Sequence, residues 1–204
     1  MTRATKVALT MILVAVGTGI AGVAMLLQHG FSARDEPMPI EAFVARRLRI
    51  LAIPRSAREM RNPIISLSKD LLAEARAHFA DHCAICHAND GSGDTQIGRN
   101  LYPKAPDMRK SDTQSLSDGE LFYIIHNGIR LTGMPAWGSD SVEADQDSWK
   151  LVHFIRHLPR ITADELDEMK KMNPKSRHDI EEEEEAKRFL MGEEAESPSG
   201  GNHH

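Results

Sequence analysis

The sequence contains few cysteines and few aromatic residues. The first shortage argues against a structural zinc site, and the second against a small domain with a large core of its own. Of its 204 residues only two are cysteine, Cys83 and Cys86. A structural zinc site needs a second pair of ligands at a similar short spacing, and no such pair is visible. Aromatic residues make up 5% of the chain, so a small domain would have a thin core unless it buried another apolar group.

Charge is distributed unevenly along a chain whose formal net charge is −5. Seven arginines lie within residues 34–61, whereas thirteen acidic residues lie within residues 162–204, five of them in the run Glu181–Glu185. The arginine segment is short and contains one aromatic residue, Phe43. This composition does not fit a nucleic-acid-binding surface, so we expect no nucleic-acid partner.

Both cysteines belong to one motif, Cys83-Ala84-Ile85-Cys86-His87. The spacing C-x-x-C-H is typical of a covalent haem attachment site, in which two thiols add to the vinyl groups of one porphyrin and the following histidine ligates the iron. A redox-active C-x-x-C pair does not need that histidine and usually lies in a βαβ context. We therefore predict one haem c bound through Cys83 and Cys86 with His87 on the iron, and no cysteine left for a disulfide.

An apolar run of 21 uncharged residues, 7–27, precedes the motif. As a helix it would extend roughly 31 Å, about the thickness of the hydrocarbon core of a bilayer. A cleaved signal peptide has a shorter apolar region, so an uncleaved signal anchor is favoured. Arginines after the run compete with Arg3 and Lys6 before it, so the positive-inside rule alone does not decide the orientation.

The remaining composition divides the chain into four parts. We expect an anchor at residues 1–30, an arginine-rich neck at 31–65, a compact domain at 66–160 and an acidic tail at 161–204, partly helical and then disordered. The terminal His203–His204 pair is consistent with weak metal binding or with a remnant of cloning.

In the neck, an amphipathic pattern predicts either a short helix that packs on the domain or at lipid headgroups, or a basic docking strip for an acidic partner. Its apolar members are Phe43, Val44, Leu48, Leu51 and Ala52.

Helical start and stop signals mark several helices in the compact domain. Ser68 is expected to cap the first helix, Ser117 and Glu120 to form a capping box for the second, and Asn127-Gly128 to end it. The last helix is expected to start near Asp145 or Asp147 and to end at Pro159. A further short helix is expected after Thr162, with Glu165 completing its cap.

Histidines outside the motif have simpler interpretations than metal binding. His78 and His82 are expected to face solvent, because His87 already holds the ligand position of the motif. His153 and His157 are spaced i, i+4, which suits a metal site on a helix. On an otherwise apolar helix, a packing or surface role is favoured for both.

The iron needs a second axial ligand if the haem is to pass electrons without binding a substrate. Met134 lies 47 residues after His87, in the loop Leu131-Thr-Gly-Met-Pro-Ala-Trp-Gly138, and is the favoured candidate. Met108 and His126 remain alternatives. A carbonyl of Pro103 or Pro106 is a candidate partner for the second nitrogen of His87, and Arg99, Tyr102 and Arg109 are candidates to reach the haem propionates.

Together, the C-x-x-C-H motif after a helix, the short middle helix, the Thr-Gly-Met-Pro-x-Trp loop and the final aromatic helix resemble a single-haem class I cytochrome c. The domain type most similar is that of the haem subunits of cbb-type oxidases, and the resemblance covers about residues 66–160. It implies the all-α class I cytochrome c fold around one covalently bound haem, His87 and Met134 as axial ligands, and electron transfer as the activity. Because bacterial haem attachment to C-x-x-C-H takes place outside the cytoplasmic membrane, it also implies a periplasmic haem domain on a single-pass anchor.

The favoured function is therefore a membrane-anchored electron carrier without a catalytic residue or small-molecule substrate. Its donor would be a quinol-oxidising complex or a dehydrogenase, and its acceptor a terminal oxidase or reductase. Two alternatives remain: a fixed haem subunit of a larger oxidase or reductase, and a haem-based sensor with an open sixth position.

Overall fold

The structure, a computed structural model, describes residues 2–29, 32–66, 68–139, 141–175 and 177–191. Every regular element in these ranges is helical, and no β-strand occurs among them, which confirms the predicted all-α class. Residues 192–204 are outside the described residues, and with them lie the expected disordered tail and the His203–His204 pair.

Ten α-helices and three short helical turns make up the described part of the chain. The α-helices are α1 (Arg3–His29), α2 (Pro39–Ala52), α3 (Arg55–Arg58), α4 (Lys69–His78), α5 (Ala84–His87), α6 (Ser111–Gln114), α7 (Asp118–Asn127), α8 (Val142–His157), α9 (Ala163–Lys170) and α10 (Arg177–Leu190). A π-helical turn, Phe79–Cys83, joins α4 to α5, and 3-10 turns occupy Gly98–Asn100 and Leu158–Arg160.

Helix α1 is long and apolar enough to cross a membrane. Its candidate span, Arg3–Met25, covers 23 residues, and none of its surface is buried against the rest of the protein. The whole helix of 27 residues is about 40 Å long. These properties are consistent with a membrane anchor.

The core of the compact part forms where α4 and α7 pack against α8. Phe79, in the π-helical turn, contacts Phe154 of α8 with ring centroids 4.9 Å apart, and Phe122 of α7 stacks on Trp149 of α8 at 4.2 Å. Phe79 and Phe154 are almost completely buried. Such aromatic pairs contribute beyond the area they bury, and they explain how a chain with few aromatic residues forms a core.

The helix boundaries follow the predicted caps with one exception. The Ser68 cap, the Ser117–Glu120 capping box and the Gly128 stop are all present. Helix α8, however, begins at Val142 rather than near Asp145 or Asp147, because the Ser141 hydroxyl accepts a hydrogen bond from the Ala144 N–H at 3.1 Å. Because of this cap, α8 begins about one turn earlier than predicted, well before its first buried residue.

Helix α9 packs on the domain instead of projecting into solvent. Thr162 and Glu165 form the predicted capping box, and the Met169 side chain is completely buried. Glu165 also accepts hydrogen bonds from His157 at 2.9 Å and from Arg76 at 3.2 Å, joining α9 to α8 and α4. Burial opposes the ionisation of Glu165, but the hydrogen bonds from His157 and Thr162 prevail and lower its pKa to about 2.

The neck is fastened to the domain along its second half. Ile53 and Ala57 are buried, and the Ala57 carbonyl lies against Gly119 of α7 so closely that a side chain there would overlap it. The Ser117 hydroxyl donates to the Arg58 carbonyl at 3.0 Å, and the Asn62 amide donates to the Trp149 carbonyl, also at 3.0 Å. The residues before α4 are therefore attached to both α7 and α8.

Polar contacts hold the first half of the neck on the same domain. Tyr102 donates a hydrogen bond to Glu41 of α2, and this bond raises the pKa of Tyr102 to about 12. Arg46 of α2 pairs with Asp112 at 3.2 Å, and Lys104 pairs with Glu36, just before α2. The polar side of α2 thus faces the domain, whereas its apolar stripe faces outward.

We predict that Phe154→Ala lowers the free energy of unfolding by about 3–5 kcal/mol, because it leaves a cavity beside Phe79. Guanidinium unfolding of the detergent-solubilised, haem-loaded protein, followed by circular dichroism, measures the change. The control is Val142→Ala on the same helix, whose side chain is exposed and whose loss should change the stability by less than about 0.5 kcal/mol. Equal stability of the two variants would contradict the described core.

Candidate functional site

The five-residue motif lies at the end of one continuous helical segment that runs from Lys69 to His87. The π-helical turn places an extra residue in the segment just before the motif, so the motif residues occupy a different face from the one that α4 alone would give them. Such turns are frequent at functional sites. Cys83 packs against the hydrophobic core, while Cys86 is partly exposed one turn later.

Burial makes both thiols poor nucleophiles on their own. It raises the pKa of Cys83 to about 12, with the neighbouring Cys86 adding to the effect, and it raises the pKa of Cys86 as well. Redox-active C-x-x-C pairs depend instead on a thiol whose pKa is lowered. The environment of the two thiols therefore argues against the redox alternative.

The His87 imidazole is buried, with 8% of the residue exposed. Burial lowers its pKa to about 4, so the ring is neutral at physiological pH. Its Nδ1 has no hydrogen-bond partner among the described residues, so neither Pro103 nor Pro106 supplies the expected carbonyl here. A neutral imidazole is the form that ligates a metal.

These donors fit a porphyrin better than a directly bound metal ion. No group of three or more His, Cys, Asp or Glu side chains gathers into a metal site within the described ranges. Two thiols and one neutral imidazole within five residues instead match the needs of a covalently attached haem.

The loop after the motif forms hydrogen bonds to the carbonyls of the motif, and its close packing there requires glycine. The His87 carbonyl accepts a hydrogen bond from the Gly93 N–H at 2.8 Å, and the Cys86 carbonyl accepts one from the Thr95 hydroxyl at 3.3 Å. A Cβ on Gly98 would overlap the carbonyl oxygens of both Cys86 and Gly93. Only glycine allows these backbone segments to approach so closely.

The loop that carries Met134 is folded tightly against the end of α7. The Ile129 N–H donates to the Met134 carbonyl at 3.1 Å, and the Trp137 N–H donates to the Ile125 carbonyl, also at 3.1 Å. The Met134 N–H donates to the Thr132 hydroxyl at 3.1 Å. Gly128, with a φ of +65°, lets the chain turn from α7 into this loop.

Two contacts place this loop beside the motif. On one side, a Cβ on Gly133 would lie 2.6 Å from the Leu101 side chain, and Leu101 directly follows the 3-10 turn that supports the Cys86 carbonyl. On the other side, the Trp137 ring meets the His82 ring edge-on at 5.5 Å, and His82 immediately precedes Cys83. The loop therefore contacts segments that adjoin the motif on two sides.

The alternative iron ligands have other contacts. Met108 is buried in the hydrophobic core. His126 stacks on Phe122 at 5.4 Å, and its Nδ1 lies 3.1 Å from an Asp145 carboxylate oxygen without hydrogen-bond geometry. Gly138 lies directly against the His126 ring, with no room for a side chain. Both residues are thus held by neighbours within the protein, whereas Met134 is only partly buried in its loop.

The residues considered for the propionates already have carboxylate partners. Arg109 pairs with Asp90 at 2.7 Å and with Asp107 at 2.8 Å, and its hydrogen bonds lower the pKa of Asp107 to about 2. Arg99 pairs with Asp94, and Tyr102 donates to Glu41 in the neck.

Of the histidines outside the motif, His153 and His157 have the packing roles expected of them, whereas His78 does not face solvent as expected. His153 bonds the Ile64 carbonyl at 2.8 Å, and His157 bonds Glu165, so neither is arranged as a metal ligand. His82 is exposed, but His78 is half-buried, contrary to the expectation that both face solvent. Together with Trp137 they line a cleft of about 170 Å³ beside the motif.

Sequence reasoning did not identify Leu101 and Gly98 as residues that arrange the site, and for Gly133 it predicted only that, with Pro135, it shapes the backbone of the Met134 loop. An apolar residue in a loop gives no signal of its own. The two glycines show only that the backbone is unusual, not which carbonyl or side chain lies against it.

A family model of known proteins matches part of the chain. Residues 70–155 match the family model described as "Cytochrome C oxidase, cbb3-type, subunit III". The matched region runs from α4 into α8 and includes the motif and the Met134 loop. No curated protein matches the chain.

We predict that Gly98→Ala destabilises the haem-loaded protein by about 1–3 kcal/mol, because the new methyl group must displace the carbonyls of the motif and its loop. The ratio of covalent haem to protein should fall in parallel, as measured by the pyridine haemochrome spectrum. Gln96→Ala, an exposed change in the same loop, should leave both quantities unchanged. A Gly98→Ala variant with wild-type haem content and stability would show that this close packing is not required.

Proposed function

We propose that the chain is a membrane-anchored electron carrier built on a cytochrome c haem domain, because residues 70–155 match the family model of the cbb3-type subunit III. A domain of this family carries covalently bound haem c, and its general role is haem-based electron transfer. The observation that most supports the finer proposal is the position of the Met134 loop, which contacts segments adjoining Cys83–His87 on two sides.

In this proposal Cys83 and Cys86 attach the cofactor. Each thiol would hold the haem through a thioether bond, formed by addition of its S–H across one vinyl group with no oxidant consumed. When bound, the haem would supply an iron that accepts and releases a single electron.

His87 and Met134 would be the two axial ligands. His87 is suited to this role because burial keeps its imidazole neutral, with a pKa of about 4. Met134 would supply a thioether to the iron, and a thioether raises the reduction potential relative to a second imidazole. With both positions filled by protein side chains, no site for a small-molecule substrate is needed, and no catalytic residue is assigned.

For the whole chain we propose a single-pass protein of the cytoplasmic membrane with its haem domain in the periplasm. Residues 1–30 would anchor it, 31–65 form the neck, 66–160 the haem domain, and 161–204 the acidic tail. Anchoring confines diffusion to the membrane plane and raises the effective concentration near membrane-bound partners.

The proposed partners are respiratory redox proteins. The donor would be a quinol-oxidising complex or a dehydrogenase, and the acceptor a terminal oxidase or reductase. The family description names an oxidase subunit, which favours a second candidate, a fixed haem subunit of a larger complex. Extraction in mild detergent separates the two, since a carrier is recovered alone and a subunit is recovered with catalytic chains.

We predict that Met134→Ala abolishes the thioether-to-iron charge-transfer band of the oxidised protein and lowers its reduction potential. The measurements are the optical spectrum and a redox titration of the purified, haem-loaded protein. Met108→Leu, which preserves core volume, should retain both the band and the potential. If Met134→Ala retains them and Met108→Leu loses them, the ligand assignment is wrong.

Carbon monoxide provides the control against the sensor alternative. The reduced spectrum of the wild-type protein at neutral pH should not change when carbon monoxide is added, because Met134 occupies the sixth position. The Met134→Ala variant should bind it. Carbon monoxide binding by the wild-type protein would instead support a sensor.

A further inference from the structure

Helix α2 presents an apolar stripe with no partner in the described part of the protein. Its members, at helical spacing, are Ile40, Phe43, Val44, Leu48 and Leu51, with exposed fractions of 65%, 50%, 44%, 60% and 71%. An apolar face of this size on a helix that already contacts the domain through its other side is not explained by folding alone.

The orientation of α2 is set by the domain and not by the stripe. Glu41 and Arg46 on the opposite side contact Tyr102 and Asp112, and Ile53, just beyond the helix, is buried. These contacts hold the apolar stripe pointing away from the haem domain. The stripe therefore needs an occupant outside this chain's own core.

The position of α2 in the chain identifies that occupant. Nine residues, 30–38, separate α2 from α1, and even fully extended they let the two helix ends lie at most about 36 Å apart. If α1 crosses the membrane, as in the proposed function, α2 must lie within that distance of the bilayer surface. The unpartnered stripe thus lies on the helix that follows the membrane-spanning helix in the chain, close to the lipid.

Charge on and around the stripe is complementary to anionic lipid headgroups. The Arg47 guanidinium lies 5.3 Å from the centroid of the Phe43 ring on the exposed side. There the arginine stem can cover apolar surface while its charged group extends toward the headgroups. Arg34 is exposed before the stripe, and Arg55, exposed beyond it, pairs with Glu59 at 3.4 Å. The acidic residues Glu36 and Glu41 are instead engaged with Lys104 and Tyr102 of the domain.

We infer that α2 is an interfacial helix that lies on the outer surface of the membrane, with its Ile40–Leu51 stripe in the lipid and its polar side carrying the haem domain. Interfacial helices bury their apolar face about 5–10 Å into the boundary between headgroups and acyl chains. Because α2 is attached to the domain, it would hold the domain in one orientation relative to the bilayer. The haem domain would then sit on the membrane instead of moving on a flexible tether.

Spin labelling of the full-length, haem-loaded protein in vesicles tests this inference. The vesicles contain phosphatidylethanolamine with a minority of phosphatidylglycerol, and no other protein. Labels are attached to Leu48→Cys or Leu51→Cys, since the two natural cysteines are consumed by the haem linkage. Lys171→Cys, exposed immediately after α9, is the aqueous control, and Val14→Cys in α1 is the control for the bilayer core.

The ratio of oxygen to nickel-chelate collision rates should be several-fold higher at Leu48 and Leu51 than at Lys171, and lower than at Val14. Arg47→Glu should reduce the ratio at Leu48, whereas Arg55→Glu, off the stripe, should have a smaller effect. An aqueous ratio at Leu48 and Leu51 beside a lipid ratio at Val14 would overturn the inference and leave the electron-carrier proposal intact. An aqueous ratio at Val14 would refute the anchor itself.

Low collision rates with both reagents would also overturn the inference, because they would mean that protein covers the stripe. Spin–spin broadening that disappears on dilution with unlabelled protein would identify a second copy of the chain as that partner. A normal haem spectrum in each labelled sample shows that the variant is folded.

Discussion

The site depends on the contact between the helical segment Lys69–His87 and α8. Phe79, four residues before Cys83, packs on Phe154, and this contact fixes the end of the segment that carries the motif. Because the segment is continuous through the π-helical turn, the position of Phe79 determines where Cys83 and His87 lie. The burial that gives His87 a neutral imidazole and both cysteines protonated thiols follows from that placement.

Glycine-mediated close packing extends this constraint to the other parts of the site. Gly98 lies against the Cys86 carbonyl, and Leu101, three residues later, lies against Gly133 in the Met134 loop. The same loop reaches His82 through Trp137. The two proposed ligands are thus carried by segments that touch through small residues, and the haem itself would complete the packing between them.

Features with a local chemical signal could be predicted from the sequence, and features that depend on distant contacts could not. The capping boxes at Ser117 and Thr162 are local, and both are present. The start of α8 was misplaced because several residues between Ser141 and Asp147 are good caps, and only the fold selects Ser141. The bond between Tyr102 and Glu41 joins residues 61 positions apart, which no periodicity encodes. For α2, the amphipathic pattern revealed an apolar face but not which side of the helix the domain would occupy.

The neck also bears on the ambiguous charge balance around α1. Arginines after an apolar span ordinarily argue that the following segment stays in the cytoplasm. Here Arg46 pairs with Asp112 of the domain and Arg47 lies over Phe43 on the exposed stripe. These contacts give Arg46 and Arg47 local roles within the protein. The orientation of α1 is part of the proposed function and does not follow from the charge count.

The central claim is that a thioether from the Met134 loop and the imidazole of His87 bind the same iron. X-ray absorption at the iron edge of the reduced wild-type protein tests it most directly, since sulfur and nitrogen scatter differently in the first coordination shell. The account predicts one sulfur ligand together with nitrogen ligands. A shell of nitrogen alone, or one with an empty sixth position, would contradict it.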